Sequence, residues 1–516
     1  MPLPLIRVFS HNFSVTELTD ACRNTVRQFA KRFIHHKVVE AGGAWETQIA
    51  GYFFAWTKDK KCYRFHRNSL DDFKEFLANQ SLYEGRDFTI EVEPIYQPIE
   101  AEFEHQGKFS TPRPKQVSIV EQLRKRDPLT KFLGLQMGGG KMYLSTVSMA
   151  FWKSMTLMFL LPRYVEKTVR DLKEVLKLED QDVYTIGGTA NLSDFIRNVN
   201  DMEHKPKVVV LSSVTYQYWL TLQSEMDHGE PVHGFDCTPE EFFQHCGFGH
   251  RVIDETHQYY NLNFQLDLHT HVESALSMSA TFKTRDEYLK TMYDLAYPKE
   301  VHCVLPELDI FTRVAAWHYD FIDLRGIKTS AWGRTSYSHV EYEKSLLKNK
   351  KVLKQYLLMV NEVVRKTYQV DRKPGEKCLI YFSTTAMCEA ARDILRMIHP
   401  QLNITKFNQG DPYSNLVDAD ICCATLGKAG TNVDLKNLTT VILTIGIDSI
   451  QSNLQAYGRM RDNKALYGST RDPLFVYFVC NNFRKHRDYD KAKTELLKPI
   501  SIGFDRMSHN VSLGVV

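Results

Sequence analysis

A short apolar segment that ends in glycines and a lysine restricts this chain more than any other feature. It reads FLGLQMGGGK and closes on Gly138, Gly139, Gly140 and Lys141. A strand that feeds such a loop favours phosphate binding, because glycine N–H groups can surround phosphate oxygens and a lysine ammonium neutralises their charge. The helix expected next directs its positive N-terminal end at the same anion. Leu135 replaces the first glycine of the full G-x-x-x-x-G-K pattern, so the prediction also depends on later features.

An acidic pair, Asp254 and Glu255, ends a second predicted strand, HRVIDE. Carboxylates at the C-terminal edge of a parallel sheet lie where ligands bind. One of them can hold Mg²⁺ through water while the other polarises an attacking water. We therefore predict that one carboxylate of the pair organises the metal and that the other activates the water. A helix-capping pair is the structural alternative, which the phosphate loop upstream disfavours.

Further polar residues follow in chain order. Ser279 and Thr281 come after another apolar stretch, and their hydroxyls are placed to bond the acidic pair or His257, although a plain turn is the alternative. Arg459 and Arg461 come later still. Arginines stabilise charge on a transferring phosphoryl group, often from a neighbouring domain. Two such arginines are usually a solvated face, but their place in this series favours catalysis.

The strand and helix patterns divide the chain into three predicted domains. Residues 1–100 combine alternating stretches with one helix, which indicates a small accessory α+β module. Residues 101–304 and 305–516 each alternate apolar runs with helical stretches, which indicates two doubly wound parallel-sheet α/β domains in tandem. In the second of these, residues 403–425 show no helical pattern.

Within the module, IAGYFFAW and KCYRFHR lie on either side of a turn-like TKDKK, which predicts a hairpin. Alternation along the second segment places Tyr63, Phe65 and Arg67 on one face and Arg64 and His66 on the other. A nucleic-acid-binding face and a merely solvated charged face are equally favoured for this strand.

Composition restricts the partners. The net charge of +3 over 516 residues means that any nucleic-acid binding depends on local basic patches. The longest apolar run, MTLMFLL, is far shorter than the ~20 residues that a membrane span needs. We expect a cytoplasmic protein with no membrane partner.

The ordered segments resemble the motifs of superfamily 2 helicases and translocases of the DExH type. The similar segments are TPRPKQ (111–116), MGGGKM (137–142), LLPRYVEKTVRDL (160–172), VVVLSSVTYQ (208–217), DETH (254–257), SAT (279–281), CLIYFSTTAMCEAARDIL (378–395), CATLGKAGTNVD (423–434) and QAYGRMR (455–461). The resemblance covers about residues 110 to 490. It implies two RecA-like domains, ATP and Mg²⁺ as cofactors, and ATP hydrolysis coupled to movement along nucleic acid.

The resemblance also implies residue roles. It adds Arg113, Gln116, Met142 and Asp434 to the nucleotide-binding residues, and Gln455 to the residues that couple hydrolysis to movement. In plan the chain is most similar to phage and viral recombination-type DNA helicases, which carry a small N-terminal nucleic-acid-binding module. That narrower similarity favours DNA over RNA, branched DNA as substrate, and a host cytoplasmic location if the protein is viral.

Two departures from the family pattern leave alternatives open. Met142 stands where the family has a hydroxyl that ligates Mg²⁺, so either water replaces it, Ser145 or Thr146 compensates, or the ATPase is weak. Arg461 follows Arg459 by two positions instead of three, so either can be the arginine finger. A nucleotide-gated clamp without turnover and the motor subunit of a restriction complex are the alternative functions.

Overall fold

The computed structural model describes residues 3–41, 44–135, 139–279, 284, 286–306, 310–331, 336–429 and 435–514. The chain divides into two compact units, which are residues 1–306 (unit 1) and 307–516 (unit 2). None of the helices in the described ranges has the length and apolar character that a membrane crossing requires.

The N-terminal part of unit 1 contains a mixed sheet and a separate hairpin. Its elements are β1 (Leu5–Val8), β2 (Asn12–Thr16), α1 (Asp20–Ala30), β3 (Ile34–Ala41), β4 (Ala44–Tyr52), β5 (Ala55–Trp56), β6 (Tyr63–His66), α2 (Leu70–Ala78) and β7 (Thr89–Val92). Within the described residues the sheet order is β5-β6-β2-β1-β7, and β3 pairs only with β4. The predicted hairpin forms between β5 and β6, whereas residues 49–52 belong to β4 and pair with β3.

This module shares one hydrophobic core with the region that follows residue 100. Phe13, Phe65 and Phe73 of the module lie in the same buried cluster as Phe264 and Tyr293. Burial of apolar surface is the main favourable contribution to folding, so this common cluster ties the two regions together. The predicted boundary near residue 100 therefore separates two regions that share one core. A truncation at this boundary would expose that core to water.

Strand β6 is buried on both faces. Phe65 points into the shared core, as one sequence alternative predicted. On the other face Arg64 is only 5% exposed and forms an ion pair with Glu240, and the ring of His66 lies 5.3 Å from that of Phe264. The predicted charged face is therefore neither solvated nor free to bind nucleic acid. Alternation shows that a strand has two faces but not that a second layer covers the polar one.

The rest of unit 1 is a parallel sheet with helices on both sides. Its elements are α3 (Val117–Leu123), β8 (Thr130–Leu133), α4 (Lys141–Trp152), β9 (Thr156–Leu160), α5 (Val165–Val175), β10 (Val183–Ile186), α6 (Thr189–Asn198), β11 (Val208–Ser212), α7 (Ser213–Gln223), α8 (Phe242–Cys246), β12 (His250–Ile253), α9 (Tyr260–Asp267), β13 (Ser274–Met278) and α10 (Glu287–Ala296). The strand order is β10-β11-β9-β12-β13-β8, and all pairs are parallel. Leu157 and Phe159 enter the core on one face and Met158 the core on the other, which is why these strands read as continuous apolar runs.

Unit 2 contains a second parallel sheet. Its elements are β14 (Arg313–Tyr319), α11 (His339–Lys348), α12 (Lys350–Val364), β15 (Lys377–Phe382), α13 (Thr385–Ile398), β16 (Ile404–Phe407), α14 (Ser414–Val417), β17 (Ile421–Thr425), α15 (Leu426–Ala429), β18 (Leu438–Leu443), α16 (Ile450–Tyr457), α17 (Asn463–Tyr467), β19 (Leu474–Cys480), α18 (Arg484–Leu497) and β20 (Gly503–Ser508). The strand order is β16-β17-β15-β18-β19-β14-β20, again all parallel.

The two parallel sheets and the small α+β module confirm the predicted fold class of two RecA-like doubly wound domains with an N-terminal module. One detail differs. Residues 403–425, which show no helical pattern in the sequence, contain β16 and the four-residue helix α14. A single helical turn is too short to produce a periodic apolar pattern.

Candidate nucleotide site

The residues predicted to bind phosphate and metal lie at one edge of the parallel sheet of unit 1. Strands β9, β12, β13 and β8 are consecutive neighbours in that sheet. Asp254 and Glu255 follow β12, Ser279 follows β13, and Lys141 follows the loop after β8. Because parallel strands end at the same edge, residues more than 100 positions apart in sequence are brought together where ligands bind in such folds.

The loop before α4 has a backbone that only glycine fits. Gly140 has φ of +89°, and a Cβ atom there would lie 2.2 Å from Nε2 of Gln116. That amide donates a hydrogen bond of 2.9 Å to the Gly139 carbonyl oxygen and thereby braces the loop. The tight loop at the N-terminus of a 12-residue helix fits a phosphate group. Gly138, predicted as part of this cradle, lies outside the described residues.

Lys141 faces both acidic residues. Its Nζ forms an ion pair with Oε1 of Glu255 and lies 3.7 Å from Oδ1 of Asp254. Burial alone would lower the pKa of Lys141, but the charges of the two carboxylates outweigh it, and the pKa is raised. Burial raises the pKa of Asp254, and repulsion from Glu255 adds to this against the attraction of Lys141. The site therefore holds a firmly charged ammonium beside two closely spaced carboxyl groups.

The backbone at the acidic pair is held in an uncommon conformation. Glu255 has φ of +52°, in the left-handed region, which costs a non-glycine residue ~1–3 kcal/mol. Its N–H donates to Oδ1 of Asp254 at 2.9 Å, and the Thr256 N–H donates to the Met278 carbonyl at 2.9 Å. Nδ2 of Asn263 donates to the Thr256 carbonyl at 2.7 Å. These bonds hold the backbone of Glu255 and Thr256 in place. Strain maintained in this way is typical of functional sites.

His257 and Ser279, predicted to couple nucleotide state to movement, are in contact. Nδ1 of His257 lies 2.7 Å from Oγ of Ser279 and 3.4 Å from Oε2 of Glu255. Burial, with the positive charge of Lys141, lowers the pKa of His257 to about 4, so the imidazole is neutral at physiological pH. Thr281, the other predicted coupling hydroxyl, lies outside the described residues.

The hydroxyls nearest to Met142 are engaged within their own helix. Met142 packs against the apolar core beside α4. Oγ of Ser145 donates to the Met142 carbonyl at 2.7 Å, and Oγ1 of Thr146 donates to the Tyr143 carbonyl at 2.7 Å. Both side chains are fully buried. This geometry disfavours compensation by Ser145 or Thr146. It leaves a water ligand or a weak ATPase as the alternatives.

The segment TPRPKQ (111–116), which contains the predicted nucleotide-binding residues Arg113 and Gln116, packs beside the loop. The Arg113 N–H donates to Oε1 of Gln116 at 3.1 Å, while the Arg113 side chain is exposed.

Sequence analysis did not identify Gln258, whose Oε1 accepts a 2.6 Å hydrogen bond from Nη2 of Arg163. The only sequence signal for this contact was the position of Gln258 directly after DETH.

In unit 2 the two predicted arginines differ in environment. Arg459 follows α16, the helix that carries Gln455, and is only 2% exposed. Burial raises the pKa of Tyr381. Both the charge of Arg459 and its hydrogen bond to the phenol oppose this rise. Arg461 is half-buried, and its Nη1 donates to the carbonyls of Gly458 and Met460 at 2.7 and 3.0 Å. Asp434 lies outside the described residues.

Solved structures of similar fold include DEAD-box helicases. A variant of S. cerevisiae Dbp5 bound to RNA and ADP BeF3 has 12% identity and a TM-score of 0.45 over 78% of this chain and 91% of its own. Mss116p bound to ssRNA and AMP-PNP has 13% identity and a TM-score of 0.48 over 77% of this chain and 74% of its own. No protein-family model and no curated protein matches the sequence. Likenesses this distant do not decide what the chain does.

Proposed function

We propose that this protein is an ATP-driven nucleic-acid motor of the superfamily 2 helicase type. The observation that carries the proposal is the placement of Lys141, at the start of α4, against the strained Asp254–Glu255 pair at one sheet edge. A cation at a helix N-terminus binds phosphate, and an acid pair beside it suits metal-assisted attack by water.

The ion pair between Lys141 and Glu255 suggests how binding prepares the site. Lys141 would transfer its ion pair from Glu255 to a phosphate oxygen, helped by the N–H groups of the glycine loop. Glu255 would then be free to accept a proton from the attacking water. Asp254 would hold Mg²⁺ through water, and the ion when bound would neutralise charge on the phosphate oxygens. The neutral His257 lies beside both Glu255 and Ser279 and would transmit a movement of Glu255 to Ser279.

We further propose that unit 2 supplies the arginine that stabilises the transferring phosphoryl group, either Arg459 or Arg461, that Asp434 contributes to nucleotide binding, and that Gln455 couples hydrolysis to movement. For the substrate we propose branched DNA, on the basis of the sequence resemblance to recombination-type helicases. The similar solved structures were bound to RNA, and this concerns those proteins. RNA is therefore one of the nucleic acids compared in the experiment below.

A nucleotide-gated clamp without turnover is the second candidate. It is favoured by one observation, which is that Met142 replaces the hydroxyl ligand while the hydroxyls of Ser145 and Thr146 are engaged elsewhere. A site with a poorly held metal would bind nucleotide and close on nucleic acid but hydrolyse slowly.

The decisive experiment measures ATP hydrolysis by the full chain with no nucleic acid, with single-stranded DNA, with branched DNA and with RNA. We expect stimulation by DNA that is largest for branched substrates. Glu255→Gln controls for contaminating ATPases. Nucleotide binding without any turnover would support the clamp instead, and stimulation by RNA alone would contradict the DNA assignment.

A further inference from the structure

A cavity of about 380 Å³ lies within unit 1, where the N-terminal module meets α7 and α9. Its volume is in the roughly 300–1,000 Å³ range of small-molecule sites. The module side is aromatic and the opposite side carries side-chain amides. The principal lining residues are Tyr52, Phe54 and Trp56 on the first side and Gln217, Gln223 and Gln265 on the second.

The aromatic wall is rigidly placed. The Trp56 ring lies 4.9 Å from that of Tyr52 at an interplanar angle of 76°, and 4.8 Å from that of Phe54. Asn261 and Gln265 donate to the Tyr52 carbonyl oxygen at 2.6 and 2.7 Å, which fixes the backbone behind these rings. Tyr52 and Trp56 are partly exposed in the cavity, whereas Phe54 is buried behind them. Rings held in this way can stack a ligand without being ordered first.

A second cavity of about 310 Å³ adjoins the first, because Glu240 and His228 line both. Three cations, Arg7, Arg23 and Lys61, line it together with the carboxylates of Glu17 and Glu240. Glu240 is paired with Arg64, and Arg23 with Asp20 at 3.0 Å. Arg7 and Lys61 are only loosely paired, each with its nitrogen 3.5 Å from a carboxylate oxygen and its side chain about half exposed or more, at 49% and 66%. Exposed pairs of this kind contribute little and can be exchanged for an incoming anion.

The floor of the second cavity adds a polar group that a ligand can use. Ser14 is 1% exposed, and within the described residues its hydroxyl has no hydrogen-bond partner. Buried hydroxyls normally have a partner, so such a group lining a cavity suits a polar ligand. An aromatic cavity that adjoins a second one lined by three cations and a buried hydroxyl matches a base joined to a phosphate.

We propose that the two cavities together bind one unpaired nucleotide of the nucleic-acid strand, with its base against Tyr52 and Trp56 and its phosphate at Arg7, Arg23 and Lys61. This inference rests on the proposed function, which supplies the strand. Base stacking on aromatic rings beside a basic groove is how proteins hold single strands regardless of sequence. The site would grip a strand on the module side of unit 1, away from the nucleotide site.

Lys60 also belongs to this surface. Its Nζ lies 4.7 Å from the centre of the Trp56 ring, so a base that stacks on that face would displace it. An exposed cation–π contact is weaker than a base stack, and the displaced ammonium would stay near the strand phosphates.

The test measures binding of single-stranded oligonucleotides to the full chain by fluorescence anisotropy. Trp56→Ala should weaken binding by roughly ten- to a hundredfold, and Trp56→Phe, which keeps a ring, by much less. In wild type, 2-aminopurine in the strand should be quenched on binding, and Trp56→Ala should reduce that quenching. Tyr83→Ala, which removes a 50% exposed ring of the module outside both cavities, is the matched control.

The basic chamber is tested by salt dependence. Changing Arg7, Arg23 and Lys61 together to Gln should reduce the magnitude of the slope of log affinity against log salt by about 0.7, because the three cations face one phosphate and each neutralised phosphate on a single strand contributes ~0.7. Lys74→Gln in α2 is the control, and it should leave the slope unchanged. This triple variant keeps the test valid even if Trp56→Ala fails to fold.

The outcomes separate this inference from the proposed function. ATPase activity without nucleic acid should be unchanged in every cavity variant. Wild-type affinity, quenching and salt slope in the variants, with ATPase and strand binding intact, would overturn the cavity assignment alone. A chain that binds no nucleic acid would overturn both. Displacement of the strand by AMP as readily as by unlabelled strand would show a free nucleotide as occupant and overturn the assignment.

Discussion

Two buried lysines, one in each unit, show how differently the protein treats the same charge. Lys141 in unit 1 faces Asp254 and Glu255, and its pKa is raised. Lys493 in unit 2, on α18, is 2% exposed, and among the described residues its Nζ donates a long 3.4 Å hydrogen bond to the Ile445 carbonyl and lies 5.2 Å from the centre of the Tyr477 ring. Burial lowers the pKa of Lys493 to about 7, even though nearby aspartates oppose the shift.

The difference lies in what the neighbouring carboxylates already bind. Asp490 is the aspartate with the larger effect on Lys493, but its oxygens accept hydrogen bonds of 2.7 Å from the Tyr477 hydroxyl and 2.8 Å from Arg506. The carboxylates around Lys141 instead face the ammonium directly. A buried lysine therefore keeps its charge where carboxylates face the ammonium closely enough to outweigh the cost of burial. Burial by itself does not mark a functional site.

The largest effects are expected when Lys141 or its carboxylate partner Glu255 is replaced. Glu255→Gln should reduce ATP turnover on the order of a hundredfold or more, with nucleotide binding nearly intact, because it removes the positioned base. Lys141→Ala should weaken nucleotide binding itself. Turnover and nucleotide affinity are measured separately, with Glu174→Gln on the exposed face of α5 as control. Wild-type turnover in Glu255→Gln would show that the acid pair is only structural.

Replacing Lys493 tests the other half of the comparison. Lys493→Met should stabilise the protein by up to ~4 kcal/mol at pH 7, because burying the ammonium is unfavourable there. The folded pKa lies below the unfolded value, so wild type should gain stability as pH rises from about 7 to about 10.5. The variant should lose that slope, and the two proteins should converge near pH 10.5.

Urea denaturation between pH 6 and 10.5 measures this effect. Lys491→Met, an exposed position on the same helix, is the matched control and should change neither stability nor slope. A Lys493→Met protein that is less stable than wild type at pH 7 would show that the ammonium is better solvated in the fold than its contacts indicate.

The two arginines of unit 2 extend the comparison to guanidinium groups, which stay protonated even when they are buried. Arg459 is buried, so Arg459→Ala should lower the melting temperature as well as turnover, since it leaves polar partners unpaired. Arg461→Ala should lower turnover with little change in melting temperature, because its Nη1 donates to carbonyls of its own segment. If neither substitution slows nucleic-acid-stimulated hydrolysis, unit 2 does not supply the finger.

The smallest expected effect concerns the residue beside Lys141. Met142→Thr should lower the Mg²⁺ concentration needed for half-maximal ATPase severalfold, because a hydroxyl ligates the ion where a thioether does not. It should also cost about 1 kcal/mol of stability, since Met142 packs against the core. Rate is measured against Mg²⁺ for both proteins, with Met142→Leu as control. Identical curves would mean that water already fills the ligand position.

The sequence by itself determined the two parallel sheets, because strands buried on both faces leave continuous apolar runs that a reader can recognise. The ordered features then anticipated which loops share a sheet edge. Helix α13 (Thr385–Ile398) likewise carries apolar residues at helical spacing that are visible in the sequence. These signals are local, or they follow from the general rule that parallel strands end at one edge.

Only the tertiary structure decided which surfaces cover each other. Arg64 looked like a solvated or nucleic-acid-binding residue and is buried against Glu240, and Lys493 is buried although it lies on a helix rich in charged residues. The left-handed backbone of Glu255 is held by Asn263 and Met278, whose roles had no sequence signal. Periodicity reports that a face exists, but its partner comes from elements distant in sequence. Burial, pKa and strain therefore become readable only after the chain has packed.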